Sequence, residues 1–305
     1  MTRLGAFGCL LLAASFTEVA LAEVDPPPPR LGWDGYALPD APAPPSLPDL
    51  THRNLSLGFE TTLASIQPAT PSEGSRPPRT LGFVERFEAE QALSIRRWYL
   101  GAAMALVTQS TGTRAAISQP EIWGRTVWAS RTGLAFGGGL GLVFPLFDYA
   151  ETTQTSLVEK HLRIVRPWDE TTFNDQSITF RPFIDVRAID GPVLLQLRQG
   201  IDWSLPMAGG EPLLASRTTF HIGYSIADTA QIGLEATEVY YIRAPNVNDD
   251  DRASYSLSPS FRFMTKTVQP GISAIFPLDQ TVLGIADSFW AVRLQLLWVF
   301  DDVNE

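Results

Sequence analysis

The sequence predicts an all-β protein, an antiparallel up-and-down transmembrane β-barrel of about twelve strands behind a proline-rich leader. Apolar residues recur with a period of two after residue 53, which is the period of a strand with two unlike faces. Short and long connections alternate between these segments, as in barrels that combine short periplasmic turns with long outer loops. The stretch WAVRLQLLWVF, residues 290–300, presents one wholly apolar face with tryptophan near each end.

The N-terminus predicts export, with residues 1–22 as a signal peptide. Arg3 precedes the apolar run LGAFGCLLLAASF, and a small-residue ALA motif stands before Glu23. The single cysteine, Cys9, lies within this signal, so we expect neither disulfides nor thiolate metal sites in the mature chain. Residues 23–52 are rich in proline and predict an extended periplasmic leader. Residues 53–305 are then the barrel domain.

Twelve segments carry the period of two, and an apolar outer face over a polar lumen suits a mean hydropathy near zero. Eleven residues of a tilted strand rise ~28 Å, enough to cross the ~25 Å apolar band of such barrels. The alternation is weakest in residues 120–129. The predicted strands lie near residues 54–64, 80–90, 94–107, 120–129, 132–146, 176–188, 192–205, 212–226, 229–243, 253–264, 267–277 and 289–300.

The connections predict which end of the barrel faces outward. Tight turns are expected at EQAL, SRT, AIDGP, ADT and TKT, on the periplasmic side with both termini. The outer loops include QSTGTRAAISQ and the roughly thirty residues of 147–175. Within that longest loop, residues 156–166 have a helical apolar face, which predicts a lid over the mouth, an inward constriction or a cap on the rim.

Charged residues on the strands are expected to face the lumen, because an arginine at the lipid midplane costs about 2–4 kcal/mol. Arginine outnumbers carboxylate in this set, which favours anions if the lumen is open and a salt-bridge network if it is closed. Aromatic residues are expected at the lipid interfaces, namely Trp203, Trp290, Trp298 and Phe300. The predicted lumen-lining residues are Arg181, Asp185, Arg187, Arg198, Asp202, Arg217, His221, Glu235, Arg262, Arg293 and Gln295.

The hairpin LGFVERFEAEQALSIRRWYLGAAMAL is similar to hairpins of outer-membrane proteins grouped as transporters of the phenol meta-cleavage pathway. The stretch EIWGRTVWASRTGLAFGGGLGLVFPL repeats that form, and the resemblance in style covers residues 54–300. It implies a barrel that passes small solutes, aromatic ones among them. The proline-rich leader and the ending FDDVNE depart from the pattern.

The sequence favours constricted, substrate-biased passive passage of a small solute, with the arginine-rich wall as selectivity element and residues 147–175 as gate. The alternatives are a structural or binding barrel with a closed lumen, and a secreted soluble β-sandwich. We expect no catalytic residues, metal or cofactor: His221 and Ser225 share a face, but they stand about 13 Å apart. The expected partners are the bilayer, lipopolysaccharide, the solute and the barrel-assembly machinery; a net charge of −10 argues against nucleic acid.

Overall fold

The computed structural model describes most of the chain from residue 55 to residue 300. The signal peptide and the leader lie outside the described residues, so their predictions stand as they were. The described residues are 55–68, 79–93, 98–109, 114–131, 133–147, 165–174, 176–226, 229–244, 252–263, 265, 267–278 and 286–300.

The secondary structure is almost entirely β, and its strands follow the segments that alternate apolar and polar residues. The only other described element of note is the 3₁₀ helix Pro167–Phe173. The strands are β1 Leu55–Pro68, β2 Thr80–Ala92, β3 Trp98–Gln109, β4 Arg114–Ile117, β5 Glu121–Arg131, β6 Leu134–Val143, β7 Ser177–Asp190, β8 Val193–Pro206, β9 Leu213–Ile226, β10 Ala230–Arg243, β11 Ala253–Phe263, β12 Val268–Pro277 and β13 Ala286–Phe300.

The sheet closes on itself, because β1 pairs with both β2 and β13. The closing ladder runs antiparallel from Leu55 opposite Phe300 to Pro68 opposite Ala286. Every other ladder joins strands that are adjacent around the wall and antiparallel, so the barrel is of the up-and-down type. Closure rules out the β-sandwich alternative, whose two sheets would each have open edges.

The strand β4 corrects one prediction, because it lies within QSTGTRAAISQ, which was expected to be a loop. Both β4 and β5 pair with β3, at different heights, so together they fill one of twelve positions around the wall. Between them Ser118 exchanges two bonds of 2.7 Å with the Ala105 backbone, one through its amide and one through its hydroxyl. Four residues interrupted in this way are too few to show a period in the sequence.

The outer face of the wall is predominantly apolar, as expected for a barrel in lipid, although Glu85 on β2 and Glu238 on β10 lie on it, against the expectation that strand charges face the lumen. On β13, Trp290, Leu294 and Phe300 are exposed, whereas Ala291 and Arg293 between them are buried. The same alternation continues around the sheet, including Leu195, Leu197, Ile201 and Trp203 on β8 and Ile222 and Tyr224 on β9. This is the face pattern of an outer-membrane barrel.

The outward aromatic residues form two belts. Trp203 and Trp290 belong to the belt at the long-loop end, and Phe300 and the half-buried Trp298 belong to the belt at the short-turn end. With a rise of ~3.3 Å per residue and a tilt of ~40°, the belts stand about 20–25 Å apart, close to the thickness of an apolar membrane core. Their contact with the lipid interfaces remains a prediction.

Glycine and proline mark local features of the wall. Gly191 has φ of 53° in the tight turn between β7 and β8, where a side chain would be strained. The β7–β8 ladder is interrupted between Phe180 and Phe183, around Pro182, which has no N–H to donate. These features leave the closed sheet intact.

The 3₁₀ helix lies inside the barrel. Phe173, its last residue, and Val165, two residues before its start, belong to the same buried cluster as inward-facing residues of β1, β2, β3, β4, β12 and β13. Of the helix expected at residues 156–166, only the last two residues are described. None of the described helices has the length and apolar character needed to cross a membrane.

Candidate functional site

The inward-folded segment, Val165–Phe173, crosses the lumen and is anchored by Arg166. The Arg166 guanidinium, 2% exposed, bonds to Glu60 on β1 and to Asp169 one turn along the segment. Glu60 also accepts a bond from Gln295 of β13 at 2.8 Å and lies 3.4 Å from Arg293. The segment therefore ends in a charge network shared with the strands that close the barrel.

Three further contacts join the segment to other parts of the wall. The Thr171 hydroxyl donates to Asp202 on β8 at 2.7 Å. The Thr172 carbonyl accepts from the Gln119 amide, between β4 and β5, at 2.6 Å. The Tyr241 hydroxyl of β10 donates to Glu170. Contacts with β1, the β4–β5 junction, β8 and β10 surround the lumen, so the segment narrows it from wall to wall.

The apolar residues at the two ends of the segment pack against an apolar patch of the wall, here called the seat, in the outer third of the lumen. Val165 and Phe173 are 0% and 1% exposed and contact a wall of inward-facing aliphatic side chains, half of them alanine. Such small residues leave room for the segment, which removes its apolar surface from lumen water. The members of this seat are Ala64, Ile66, Val84, Ala105, Val107, Ala116, Ile275 and Ala291.

The ion pair within the segment perturbs the pKa of both partners. Burial alone would raise the pKa of Asp169, but the charge of Arg166, with smaller contributions from Arg86 and Arg181, holds it below its ordinary value of 3.8. Burial acts against the charged Arg166 as well, and Asp169 and Glu60 more than offset this, so its pKa is raised. The pair is therefore ionised at neutral pH.

The predicted lumen-lining residues all lie at inward-facing positions of their strands. Arg181 bonds to Asp202 at 3.1 Å and to Glu121 at 2.8 Å, and Arg217 lies 2.6 Å from Asp202. Arg198 forms a bidentate pair with Asp185 through bonds of 2.8 and 2.9 Å. The buried members are Arg181, Asp185, Arg187, Asp202, His221, Glu235, Arg262 and Arg293; Arg198, Arg217 and Gln295 are half-buried.

The expected excess of arginine over carboxylate does not occur among the described residues. Strands β1, β2 and β5 and the segment add carboxylates that were not assigned from the sequence, and the two signs balance. The inward-facing set holds nine arginines, Arg86, Arg125, Arg166, Arg181, Arg187, Arg198, Arg217, Arg262 and Arg293, and nine carboxylates, Glu60, Glu88, Glu90, Glu121, Asp169, Glu170, Asp185, Asp202 and Glu235.

Two inward-facing aromatic rings occupy the space beside glycines of the wall. A Cβ at Gly101 would lie 2.2 Å from the Trp123 ring, and one at Gly139 would lie 2.8 Å from Phe183. The Arg198 guanidinium stands 4.2 Å from the centre of the Phe183 ring. The glycine face of β6 is thus the surface against which neighbouring side chains pack.

His221 occupies a polar row across three strands in the short-turn half of the lumen. It lies directly opposite Gln196 of β8 and Glu235 of β10, and all three are at most 1% exposed. No bond between a serine and His221 occurs among the described residues. Within the same part of the chain, no group of three histidine, cysteine or acidic residues is arranged to hold a metal ion.

Several residues of the lumen were not assigned from the sequence. Glu88 and Glu90 had a usable signal, because they and Arg86 alternate along β2 on one face. Arg125 lies on β5, whose alternation is poor, and it bonds to Glu90. Arg166 belongs to a connection with no strand period, so only the three-dimensional structure reveals its partners.

The solved structures that share the fold at low sequence identity include the following two. An outer-membrane channel from Pseudomonas putida F1 has a TM-score of 0.60 at 11% identity, over 85% of this chain and 100% of that one. The NanC porin has a TM-score of 0.51 at 10% identity, over 79% of this chain and 98% of that one. No family model matches the sequence. No curated protein matches it either. The likeness shows the fold, a closed antiparallel β-barrel that this chain shares with these two outer-membrane proteins.

Proposed function

We propose that this protein is an outer-membrane channel for constricted, passive passage of a small solute, with Val165–Phe173 as the constriction. The observation that carries the proposal is a polar lumen crossed by a segment whose anchors are few and specific. A wall of paired arginine and carboxylate groups offers water and polar solutes a path that an apolar core would not. The bilayer, lipopolysaccharide and the barrel-assembly machinery are the partners this role implies.

Two of the fold's neighbours are described as a porin and as an outer-membrane channel, and these descriptions agree with the proposal. The resemblance to phenol-pathway barrels adds aromatic solutes to the candidates, and the lumen rings of Trp123 and Phe183 are compatible with them. Of the predicted arginines, Arg198 and Arg217 reach lumen solvent, so they are the selectivity residues we propose.

Single-channel recording in planar bilayers tests the proposal. We expect a stable conducting level, and replacing both Arg198 and Arg217 by glutamate should shift the reversal potential toward cation preference. Arg243→Glu on the exposed outer rim is the matched control. Silence of a correctly folded wild type would refute a constitutively open channel, and unchanged selectivity of the double variant would refute the role of the two arginines.

The second candidate is a structural or binding barrel with a closed lumen. It is favoured by the contacts of the segment with four parts of the wall. The same recordings separate the two, because a closed barrel stays silent even after the segment is released by replacement of residues 165–174 with a flexible linker of equal length. A conducting linker variant with a silent wild type would identify a gated channel.

A further inference from the structure

The charges that reach lumen solvent differ from the full set of lumen charges and are divided between two walls. Six of the nine lumen arginines are at most 4% exposed, and four of these six are paired with carboxylates. The basic wall carries the accessible cations Arg198 of β8 and Arg217 of β9, whose side chains are 26% and 14% exposed. The acidic wall carries the accessible carboxylates Glu88 and Glu90 of β2 and Glu121 of β5, whose side chains are 44%, 12% and 14% exposed. Arg86, 17% exposed, lies among these carboxylates.

On the basic wall, the carboxylates lie behind the guanidinium groups. Asp185, 0% exposed, accepts hydrogen bonds from Nε and Nη2 of Arg198. Asp202, 1% exposed, contacts Nε of Arg217. Nη1 of Arg198 has no protein acceptor in the part of the chain that the structure describes. A solute in the lumen therefore meets guanidinium edges, with the compensating charge farther away.

Glu88 on β2 and Arg198 on β8 face each other across the lumen, whereas Glu121, at the β5 edge of the acidic wall, bonds to Arg181 of β7 at 2.8 Å. Strands β2 and β8 are five positions apart among the twelve around the barrel, which places them nearly opposite. With ~3.3 Å rise per residue, ~4.8 Å between strands and a tilt of ~40°, the pairing registers place Glu88 and Arg198 within about 3 Å of the same height. This level lies on the periplasmic side of the constriction.

An aromatic ring adds to the acidic wall. Trp123 faces the lumen, is half-buried, and donates from its indole N–H to Glu90 at 2.8 Å. One ring face lies on Gly101, and its partial exposure opens to the lumen. A ring that donates to a carboxylate is electron-rich, so its open face attracts a positive group. Ammonium groups therefore meet both a carboxylate and an aromatic face on this side.

From this division we infer that the lumen below the constriction selects small zwitterions, with the ammonium group toward β2 and β5 and the carboxylate toward β8 and β9. A simple anion is attracted by one wall and repelled by the other, and a simple cation meets the reverse. A zwitterion is oriented favourably by both walls at once. The inference rests on the proposed function, because it names the solute class of the same lumen.

Uptake into proteoliposomes tests the inference with three probes that share one ring and one chain length. The probes are phenylalanine, 3-phenylpropionate and phenethylamine at pH 7, each radiolabelled, at equal ionic strength and corrected for protein-free liposomes. We expect phenylalanine to enter about fivefold faster than either ion, the ratio for a modest charge interaction in high dielectric. Equal rates, or fastest entry of 3-phenylpropionate, would overturn the inference and leave passive passage standing.

Two neutralising variants assign the preference to the walls. Glu88→Gln should raise 3-phenylpropionate uptake relative to phenylalanine, and Arg198→Gln should raise phenethylamine uptake instead. Arg243→Gln on the outer rim should leave all ratios unchanged. Heat-modifiable migration on gels checks that each variant is folded. An unchanged ranking in both lumen variants would overturn the inference, whereas no uptake of any probe by any form would refute the proposed function itself.

Discussion

Replacement of Arg166 by glutamine should release the constriction. The substitution removes the charge that Glu60 and Asp169 share inside the lumen and leaves Asp169 without its bonded cation. Loss of one partner from a buried ion pair costs about 3–5 kcal/mol. Glu60 keeps its contacts with Gln295 and Arg293, so we expect the lower end of this range.

A destabilisation of about 3 kcal/mol shifts a two-state equilibrium roughly 100-fold, since each 1.36 kcal/mol is a factor of ten. Single-channel recording should therefore show a new or far more frequent high-conductance level in Arg166→Gln. Arg243→Gln, an exposed arginine paired with Glu211 at 3.4 Å, is the matched control and should behave as wild type. Wild-type conductance and open probability in a folded Arg166→Gln sample would refute the role of the Arg166 ion pairs as the latch that holds Val165–Phe173 in place.

Three further predictions concern pH, packing and the outer face. Because the pKa of Asp169 is lowered, the latch should hold above about pH 4 and weaken as pH falls through that lowered pKa. Single-channel conductance should therefore be constant from about pH 7 to 5 and rise below about pH 4. A conductance that stays constant down to about pH 2 would count against this role of Asp169. Gly139→Ala should destabilise the barrel by about 1–3 kcal/mol in urea unfolding, because the added Cβ would lie 2.3 Å from a backbone oxygen. Gly124→Ala is the control and should leave stability unchanged, because no atom lies nearer than 4.0 Å to its Cβ. Equal effects of the two substitutions would contradict this packing. Leu294→Arg, on the outer face near mid-height, should lower folding stability in bilayers by about 2–4 kcal/mol, and Tyr240→Arg in the outer belt by about 0–1 kcal/mol; the reverse order would contradict the assigned depths.

The barrel could be predicted because its two signals are local in sequence. Period two on β13 alone separates Trp290 and Leu294 from Arg293, and the parity of loop lengths orients the strands. The closing pair of Leu55 and Phe300 then follows from the intolerance of the bilayer for open edges. Strand β4 was missed because four residues joined to β5 through a local irregularity carry no period.

The lumen was predicted less completely, since side-chain partners depend on contacts between distant residues. The alternation that identified Arg198 as inward-facing also applied to Glu88. How much of either side chain is exposed to the lumen depends on contacts with neighbouring strands, which the alternation does not give. The bond from Arg166 to Glu60 joins residues more than one hundred positions apart. No spacing rule encodes that contact, so the segment's inward position and the balance of charge became visible only in the structure.

Depth-resolved quenching along β13 tests most directly whether lipid covers the outside of this barrel. Single-cysteine variants at positions 291–298 would carry a fluorescent label in bilayers that contain brominated lipids. We predict strong quenching at the even positions, which lie on the outer face, and weak quenching at the odd ones, which lie on the inner face. Equal quenching at neighbouring positions, or a folded protein that stays in solution without detergent, would contradict the barrel's place in the membrane.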